Sequence, residues 1–295
     1  KMKILYVTTV SNTINGFLIP HIKLLVEKGH QVDIACNIVR EISPELIKLG
    51  CKIYNIEFQR SPFKKANYKA YIKIKKLIVS GEYQLIHTHT PVASFLARLA
   101  CRNIPNIKVL YTAHGFHFFK GAPLIYLLYY PIEKWLSKYT DCLITINDED
   151  YELAVNKLKA RSVKKVPGVG IDLNKFVPQP LEKKKELRKQ YGYSDDDFIL
   201  IYVAELNHNK HQDLLIKVVD VLKNKIPNIK LLLVGAGKLI EDYKQQVRDL
   251  KLKDHIHFLG YRKDVPDLMA IADVAVSASR REGLPVNVME AMATG

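Results

Sequence analysis

Strand-like and helix-like hydrophobic patterns alternate along almost the whole chain of 295 residues. An apolar run at residues 4–8 is followed by a periodic segment at 17–28, and a second apolar run comes at 31–35. This β–α–β alternation is typical of parallel sheets covered by helices, because consecutive parallel strands need a crossover connection. The pattern therefore predicts the α/β class, and the length is sufficient for two domains.

A segment rich in glycine and proline, at residues 164–176, interrupts the alternation and is typical of a connection between domains. We predict a Rossmann-like domain at 1–176 and a second one at 177–295. The formal charge is divided unevenly between them, since residues 1–178 carry +13 of the total of +15. The basic surface of the protein therefore belongs to its first half.

A basic first half is compatible with nucleic acid, an anionic membrane surface or a phosphorylated acceptor as partner. The lysines form no recognised nucleic-acid-binding motif, so we expect no nucleic acid partner. The longest apolar run, at 122–132, is too short to span a bilayer and contains two prolines. The four cysteines show no metal-ligand spacing, and we expect reduced core residues of a cytoplasmic protein.

The most informative stretch lies at residues 273–295. A strand-like run at 273–279 leads into a polar turn and then into the start of a helix. This places Glu282 in the turn and Glu290, eight residues later, inside the helix. Open α/β sheets bind ligands at the carboxyl ends of their strands, and the first turn of a helix favours anions. The residues alone leave two interpretations open: a sugar-nucleotide site, or an ordinary helix that carries two glutamates.

The Glu-x7-Glu spacing followed by Ala-Met-Ala-x-Gly resembles the signature of retaining glycosyltransferases of family 4. The resemblance extends over essentially all 295 residues. It implies the GT-B fold, in which two Rossmann-like domains face a central cleft. It also implies further elements after Gly295, so that the second domain is expected to be incomplete. Within the motif, we expect Glu282 to contact the transferred sugar and Glu290 to hold the ribose, with Gly283 and Leu284 beside the donor.

The resemblance implies further site residues along the chain. A histidine at the place of His114 contacts the donor sugar in the family, so His114 and Glu282 are the candidate catalytic residues. Four other positions match donor-binding elements of the family: Gly16, Lys210, Gly235 and Arg262. Family members often carry a Gly-Gly pair in the first loop, where this chain has Gly16 alone.

The expected diphosphate ligands depart from the family pattern. Lys210 matches the lysine of the family, but the arginine five residues earlier is replaced by Glu205. Two alternatives remain: Arg280 or Arg281 substitutes for the arginine, or Glu205 contacts another group, such as an amino sugar. We expect no metal and no other cofactor, provided that Lys210 and helix N-termini carry the diphosphate charge.

Histidines and acidic pairs elsewhere offer weaker candidates. His87 and His89 are expected to be crevice-facing polar residues or plain structural ones, because a metal site would need a third ligand near them. Together with His117, they are the candidates for contacts with the acceptor. Asp148-x-Asp150 has the spacing of a metal-binding Asp-x-Asp motif, but acidic residues at a helix start are typical of capping.

Taken together, the residues and the resemblance predict a retaining glycosyltransferase of exopolysaccharide or capsule biosynthesis. Its donor is expected to be a nucleotide sugar, namely a UDP-sugar, and its acceptor a saccharide or polyprenyl-linked saccharide. The basic segment at 64–76 and an aromatic helix at 124–139 predict peripheral attachment to the inner face of the membrane. The alternatives are a UDP-sugar 2-epimerase of similar fold and a non-catalytic basic module that binds membrane or nucleic acid.

Overall fold

The computed structural model describes residues 1–62, 64–118 and 129–295. The chain divides into two compact units, Lys1–Gly170 and Ile171–Gly295. The division falls inside the segment rich in glycine and proline, a few residues before the predicted boundary after residue 176. Both units are α/β with parallel sheets, as the alternating pattern predicts.

Seven parallel strands form the sheet of the first unit, in the order β3-β2-β1-β4-β5-β6-β7. The strands are β1 (Lys3–Val10), β2 (Gln31–Asn37), β3 (Ile53–Asn55), β4 (Leu85–His89), β5 (Lys108–Ala113), β6 (Cys142–Thr145) and β7 (Ser162–Lys165). The helices between them are α1 (Ile19–Glu27), α2 (Pro44–Lys48), α3 (Ala66–Ser80), α4 (Pro91–Cys101), α5 (Tyr129–Leu136) and α6 (Asp148–Lys157).

Both faces of this sheet are covered by hydrophobic layers. Leu5 and Val7 of β1 pack in one cluster with residues of α3 and α4. Ile4 and Tyr6 belong to a second cluster, with residues of α1 and α2. Successive side chains of a strand point to opposite faces, so a strand buried on both faces reads as a continuous apolar run. This explains why the first strand was recognisable in the sequence.

Four parallel strands form the sheet of the second unit, in the order β10-β9-β8-β11. The strands are β8 (Phe198–Val203), β9 (Ile229–Val234), β10 (Ile256–Gly260) and β11 (Val274–Ala275). The helices are α7 (Leu181–Tyr191), α8 (Gln212–Leu222), α9 (Ile240–Asp249), α10 (Val265–Ile271) and α11 (Val286–Thr294). Leu231 and Leu233 pack on one face of the sheet, whereas Leu232 and Val234 pack on the other.

Two elements differ from the sequence prediction. Residues 9–16 were expected to form a loop, but the chain is helical from Ser11, and a π-helical turn at Ile14–Leu18 contains Gly16. The strand expected at 273–279 pairs only through Val274 and Ala275. The side chains of this short strand are exposed, so burial does not extend it.

The capping predicted at the start of α6 is confirmed. Asn147 caps α6, because its side chain accepts a hydrogen bond of 2.8 Å from the backbone N–H of Asp150. All four cysteines are unpaired thiols. The aromatic segment at 124–139 is helical from Tyr129, while residues 124–128 lie outside the described residues. In the part of the chain that the structure describes, no helix has the length and apolar character needed to cross a membrane.

Candidate functional site

The loops after β8, β9 and β11 meet at the carboxyl edge of the second sheet. Strand β8 lies between β9 and β11, and the chain leaves β8 toward β9 on one side but later returns from β10 to β11 on the other side. Such a reversal of strand order opens a crevice at the carboxyl ends of the strands, where open α/β sheets bind ligands. Lys210 lies in the loop after β8, and Glu282 lies in the turn before α11.

Hydrogen bonds join the loop after β8 to the turn before α11. The backbone N–H of Arg280 donates to the carbonyl of Asn209 over 2.8 Å. The Asn209 side chain donates in turn to the carbonyl of Arg281 over 2.9 Å. A third contact joins β8 itself to the same turn, because the hydroxyl of Tyr202 lies 2.7 Å from that of Ser279. The loops therefore form one surface, although about 70 residues separate them in sequence.

The joined loops bring Lys210 against Glu282 in an ion pair. The two side chains are 22% and 25% exposed, so solvent screens their attraction only in part. The sequence predicts that both residues contact the donor, Lys210 through the diphosphate and Glu282 through the sugar. The structure shows that they contact each other, which the sequence prediction did not include.

Arg280 supplies a second cation to this surface. Its guanidinium donates to the carbonyl of His208 over 3.2 Å and lies 3.2 Å from Nδ1 of His211. The same His211 nitrogen lies 2.8 Å from the carboxylate of Asp213. Arg280 thus contacts the loop that carries Lys210, as one of the two alternatives for the missing arginine requires.

Helix α11 begins at the same edge and carries Glu290. The side chain of Asn287 donates to the carbonyl of Val203 over 3.0 Å, which fixes the first turn of α11 at the end of β8. Glu290, one turn further on, is partly buried, and burial raises the pKa of its carboxyl to about 7. A carboxylate with so little stabilisation from neighbours is suited to accept hydrogen bonds from ligand hydroxyls.

The glycines after β9 allow the neighbouring loop to approach. A Cβ atom on Gly235 would overlap the carbonyl oxygen of Ala204, and one on Gly237 would overlap that of Leu206. Gly235 also has φ +144, which L side chains rarely adopt. Gly235 therefore has a structural reason to be glycine. Gly16 of the first unit differs, since a Cβ there would meet open space.

The other predicted donor residues lie at the same carboxyl edge of the second sheet. Arg262 follows β10, and its guanidinium forms two hydrogen bonds of 2.8 and 2.5 Å with Asp264. Tyr191 donates to the same carboxylate over 2.6 Å. Gly283 and Leu284 occupy the turn directly before Pro285 and α11. Arg262 is thus anchored, while the turn at 283–284 remains next to the Lys210–Glu282 pair.

In the first unit, histidines converge at the carboxyl edge of the sheet. Strands β4 and β5 are adjacent, with His89 opposite Thr112, two residues before His114. This register places Nδ1 of His89 3.1 Å from Nε2 of His114. His87 points its Nε2 at the hydroxyl of Thr112 over 2.9 Å.

Burial lowers the pKa of all three histidines, to about 3 for His87, to about 4 for His114 and well below the usual value for His89. Neighbouring histidines lower the pKa values further, so these imidazoles are neutral near pH 7. Although His89 was predicted to face the acceptor, it is only 3% exposed. His117 is exposed, and its ring centroid lies 5.7 Å from that of Tyr129.

No metal-ligating cluster of three or more histidine, cysteine, aspartate or glutamate side chains occurs within residues 1–62, 64–118 and 129–295. Asp148 and Asp150 of the Asp-x-Asp pair lie in the first turn of α6, where Asp148 pairs with Lys165. The cations Lys210 and Arg280 and the N-terminus of α11 are of the kind that suits a diphosphate.

Three contributors to the site escaped the sequence prediction: Asn209, Tyr202 and Asn287. Each joins segments that are distant in sequence. The polar Asn207–Lys210 segment after a buried strand was a visible signal for the first of them. Nothing in the local sequence of Tyr202 indicates that its hydroxyl reaches Ser279.

Two α/β units with parallel sheets are the architecture expected of a GT-B glycosyltransferase. Residues 3–147 match the family model "Glycosyl transferase 4-like", and residues 183–295 match "Glycosyl transferases group 1". EpsD of Bacillus subtilis (strain 168), a protein named as a glycosyltransferase, is 43% identical over 296 residues. That alignment covers 99% of this chain and 76% of EpsD. The chain therefore belongs to this glycosyltransferase family.

A second relative and a solved structure extend the comparison. The Escherichia coli UDP-Gal:alpha-D-GlcNAc-diphosphoundecaprenol alpha-1,3-galactosyltransferase is 31% identical, over 77% of this chain and 60% of its own length. The crystal structure of Anabaena HepE in complex with UDP and glucose has a TM-score of 0.78 and 20% identity. It matches 99% of this chain and 78% of HepE, and at this identity it shows the fold alone. The GT-B fold expected from the sequence is confirmed.

Proposed function

We propose that this protein transfers a sugar from a UDP-sugar to a lipid-linked saccharide, with retention of configuration and without a metal ion. The observation that carries the proposal is the group at the carboxyl edge of the second sheet. There, the Lys210–Glu282 pair and Arg280 lie in the joined loops that precede α11, and the partly buried Glu290 lies one turn into that helix. Cations, a helix N-terminus and carboxylates in one place match the phosphates and hydroxyls of a nucleotide sugar.

Each residue has a definite role in this proposal. Lys210 binds the diphosphate, and Arg280 takes the place of the arginine that Glu205 replaces. Glu290 accepts hydrogen bonds from the ribose hydroxyls, and Glu282 accepts those of the transferred sugar. The N–H groups at the first turn of α11, next to Gly283 and Leu284, stabilise the negative charge that develops on the leaving diphosphate.

Retention of configuration follows in the proposal from attack on the same face as the departing diphosphate. Lys210 and the helix N-terminus carry the charge of the leaving group, so no metal ion is needed. His114 is neutral near pH 7 and acts as a hydrogen-bond donor to the sugar rather than as a cation.

Two considerations support the proposals of a lipid-linked acceptor and of attachment to the membrane. The Escherichia coli relative is named for a diphosphoundecaprenol-linked acceptor. In addition, helix α3 exposes Tyr68, Ile72 and Val79 beside lysines 69, 73, 75 and 76. Apolar residues bordered by lysines on a helix surface favour the interface of an anionic bilayer.

Helix α5 supplies further interfacial residues. It exposes Ile132 and Trp135, at 44% and 37%. Helices α3 and α5 both pack against α4, so they flank the same helix of the first unit. We propose that this surface attaches the protein to the inner face of the cell membrane.

The donor assignment is tested by thermal denaturation with UDP, ADP and GDP and with a panel of UDP-sugars. A ligand that binds the native state raises the melting temperature according to its affinity. UDP and one or more UDP-sugars should raise it, in the presence of EDTA as well as in its absence. A shift with ADP or GDP but none with UDP would overturn the donor assignment, and a shift that EDTA abolishes would overturn the metal-independent binding.

A further inference from the structure

In the first unit, the hydrogen bond between His89 and His114 lies within a group of four aromatic rings. The ring of His89 lies between those of Tyr6, at 5.5 Å, and His114, at 5.4 Å, and it contacts His87 at 4.2 Å. His89 and His87 are side chains of β4, whose backbone pairs with β1 and β5. Because His89 is 3% exposed and held by strands on both sides, its ring has a fixed orientation.

The bond between His89 and His114 joins two neutral imidazoles. Burial lowers the pKa of both residues, so neither carries a charge near pH 7. A neutral imidazole has one N–H donor and one acceptor nitrogen. Nδ1 of His89 lies 3.1 Å from Nε2 of His114, so one of these two nitrogens must carry the proton and the other must accept it.

The second nitrogen of His89 decides between the two arrangements. Within the described residues, no group hydrogen-bonds to Nε2 of His89, which is buried. If His114 donated, His89 would hold its own proton on Nε2, as a buried N–H without a partner. Such orphaned donors are rare in proteins, because the lost hydrogen bonds to water are not replaced. The arrangement with the proton on Nδ1 of His89 avoids this orphan.

We propose that His89 is a positioning residue: it donates Nδ1–H to Nε2 of His114 and thereby holds the His114 proton on Nδ1. His114 then presents one defined donor, at the nitrogen that does not contact His89. The hydrogen bond to one imidazole nitrogen sets the protonation of the other, and the wrong tautomer is inactive in enzymes that depend on it. The inference rests on the proposed function, in which His114 donates to the transferred sugar.

The tautomer can be read directly in the unaltered protein. A long-range ¹H–¹⁵N correlation spectrum of protein labelled with ¹⁵N-histidine distinguishes imidazoles protonated at Nδ1 from those protonated at Nε2. A His114→Gln variant, which removes one set of signals, assigns the His114 resonances. We expect wild-type His114 to be neutral at pH 7.5 and protonated on Nδ1. A His114 protonated on Nε2 in the wild-type protein would overturn the proposal without any further variant.

Variants of His89 test whether this residue determines the tautomer of His114. His89→Phe keeps an aromatic ring but removes the donor, and we expect His114 to lose its uniform Nδ1 protonation. His89→Asn keeps an N–H near the position of Nδ1 and should restore the wild-type pattern. His30→Gln is the control, since His30 accepts a hydrogen bond from Met2 far from this cluster in sequence and should leave His114 unchanged. If His114 keeps its Nδ1 proton in folded His89→Phe, then His89 does not set the tautomer.

Kinetics separate this inference from the proposed function. With a UDP-sugar donor, His89→Phe should lower kcat about tenfold, the scale seen when a residue that orients a functional histidine is removed. KM for the donor should stay near its wild-type value, and His89→Asn should recover most of kcat. Wild-type transfer by His114→Gln would refute the role of His114 in the proposed function, while the spectra would still decide the role of His89.

Discussion

Replacement of Glu282 by glutamine should strengthen, rather than weaken, the binding of UDP. In the structure, the carboxylate of Glu282 pairs with Lys210, the residue proposed to bind the diphosphate. UDP without a sugar gains nothing from Glu282 but must displace it from Lys210. Glu282→Gln removes the competing charge and keeps the size of the side chain. The sequence alone predicts that UDP binding is unaffected by a change at this position, so the structure alters the expectation.

The exposure of the Lys210–Glu282 pair determines how large the gain in UDP affinity should be. With side chains 22% and 25% exposed, the pair lies near the upper end of the range for partly solvated ion pairs, about 0.5–1 kcal/mol. Release of that competition corresponds to a two- to fivefold lower Kd for UDP, by the relation of about 1.4 kcal/mol per factor of ten. Transfer from a UDP-sugar should fall in the same variant, because the sugar loses its carboxylate partner.

Isothermal titration calorimetry with UDP provides the measurement. Glu241→Gln is a matched control, because Glu241 forms an exposed ion pair with Lys244 on α9. It should leave the Kd of UDP unchanged. The gain in Glu282→Gln should shrink as salt is added, since salt screens the competing pair. Equal or weaker UDP binding by Glu282→Gln would show that Glu282 does not compete for Lys210, and the reasoning would be refuted.

Four further predictions concern the donor and the membrane. Lys210→Ala should weaken UDP binding by about 2 kcal/mol, or roughly 30-fold, in the same titration; a loss within error would transfer the role to Arg280 or Arg281. Glu290→Ala should weaken UDP binding, and unchanged affinity would remove the ribose assignment. Because burial raises the pKa of Glu290 to about 7, the folded protein holds a proton that the unfolded chain releases above about pH 4.5, so wild-type stability falls between these values as pH rises. Glu290→Gln should therefore raise the melting temperature more at pH 8 than at pH 5, and an equal difference at both would contradict this. Co-sedimentation should show binding to anionic liposomes at low salt but not to neutral ones. A variant with Lys64, Lys65, Lys73 and Lys76 changed to Glu should not bind. If this variant binds like the wild type, the proposed membrane-binding surface is wrong.

The sheet layers could be predicted because the burial of each strand is reflected in its apolar sequence. Strand β1 is apolar at successive positions, since one half of its side chains packs against α3 and α4 and the other half against α1 and α2. The helical turn at Ser11 was missed because Asn12, Asn15 and Gly16 are typical of loops. Here the fold overrides local propensity, since the chain turns directly from β1 into a helix.

The site could be predicted only as far as its residues lie next to each other in sequence. Glu282 and Glu290 share one strand–turn–helix segment, so their spacing was informative. The pairing of Glu282 with Lys210 depends instead on the two hydrogen bonds that Asn209 forms with a distant loop, one as donor and one as acceptor. The contact between His89 and His114 likewise depends on the register of β4 and β5, and periodicity in the sequence does not encode register.

The most direct test of the account is the product of the reaction itself. The protein is incubated with α-linked UDP-sugars and a polyprenyl-diphosphate-linked saccharide, with and without EDTA, and the product linkage is read by NMR. The account predicts a new α-linked sugar on the acceptor, formed equally well with EDTA. A β-linked product would contradict retention, and dependence on a metal ion would contradict the role given to Lys210 and α11. Release of a free sugar or a 2-epimer without transfer would contradict the proposed function as a whole.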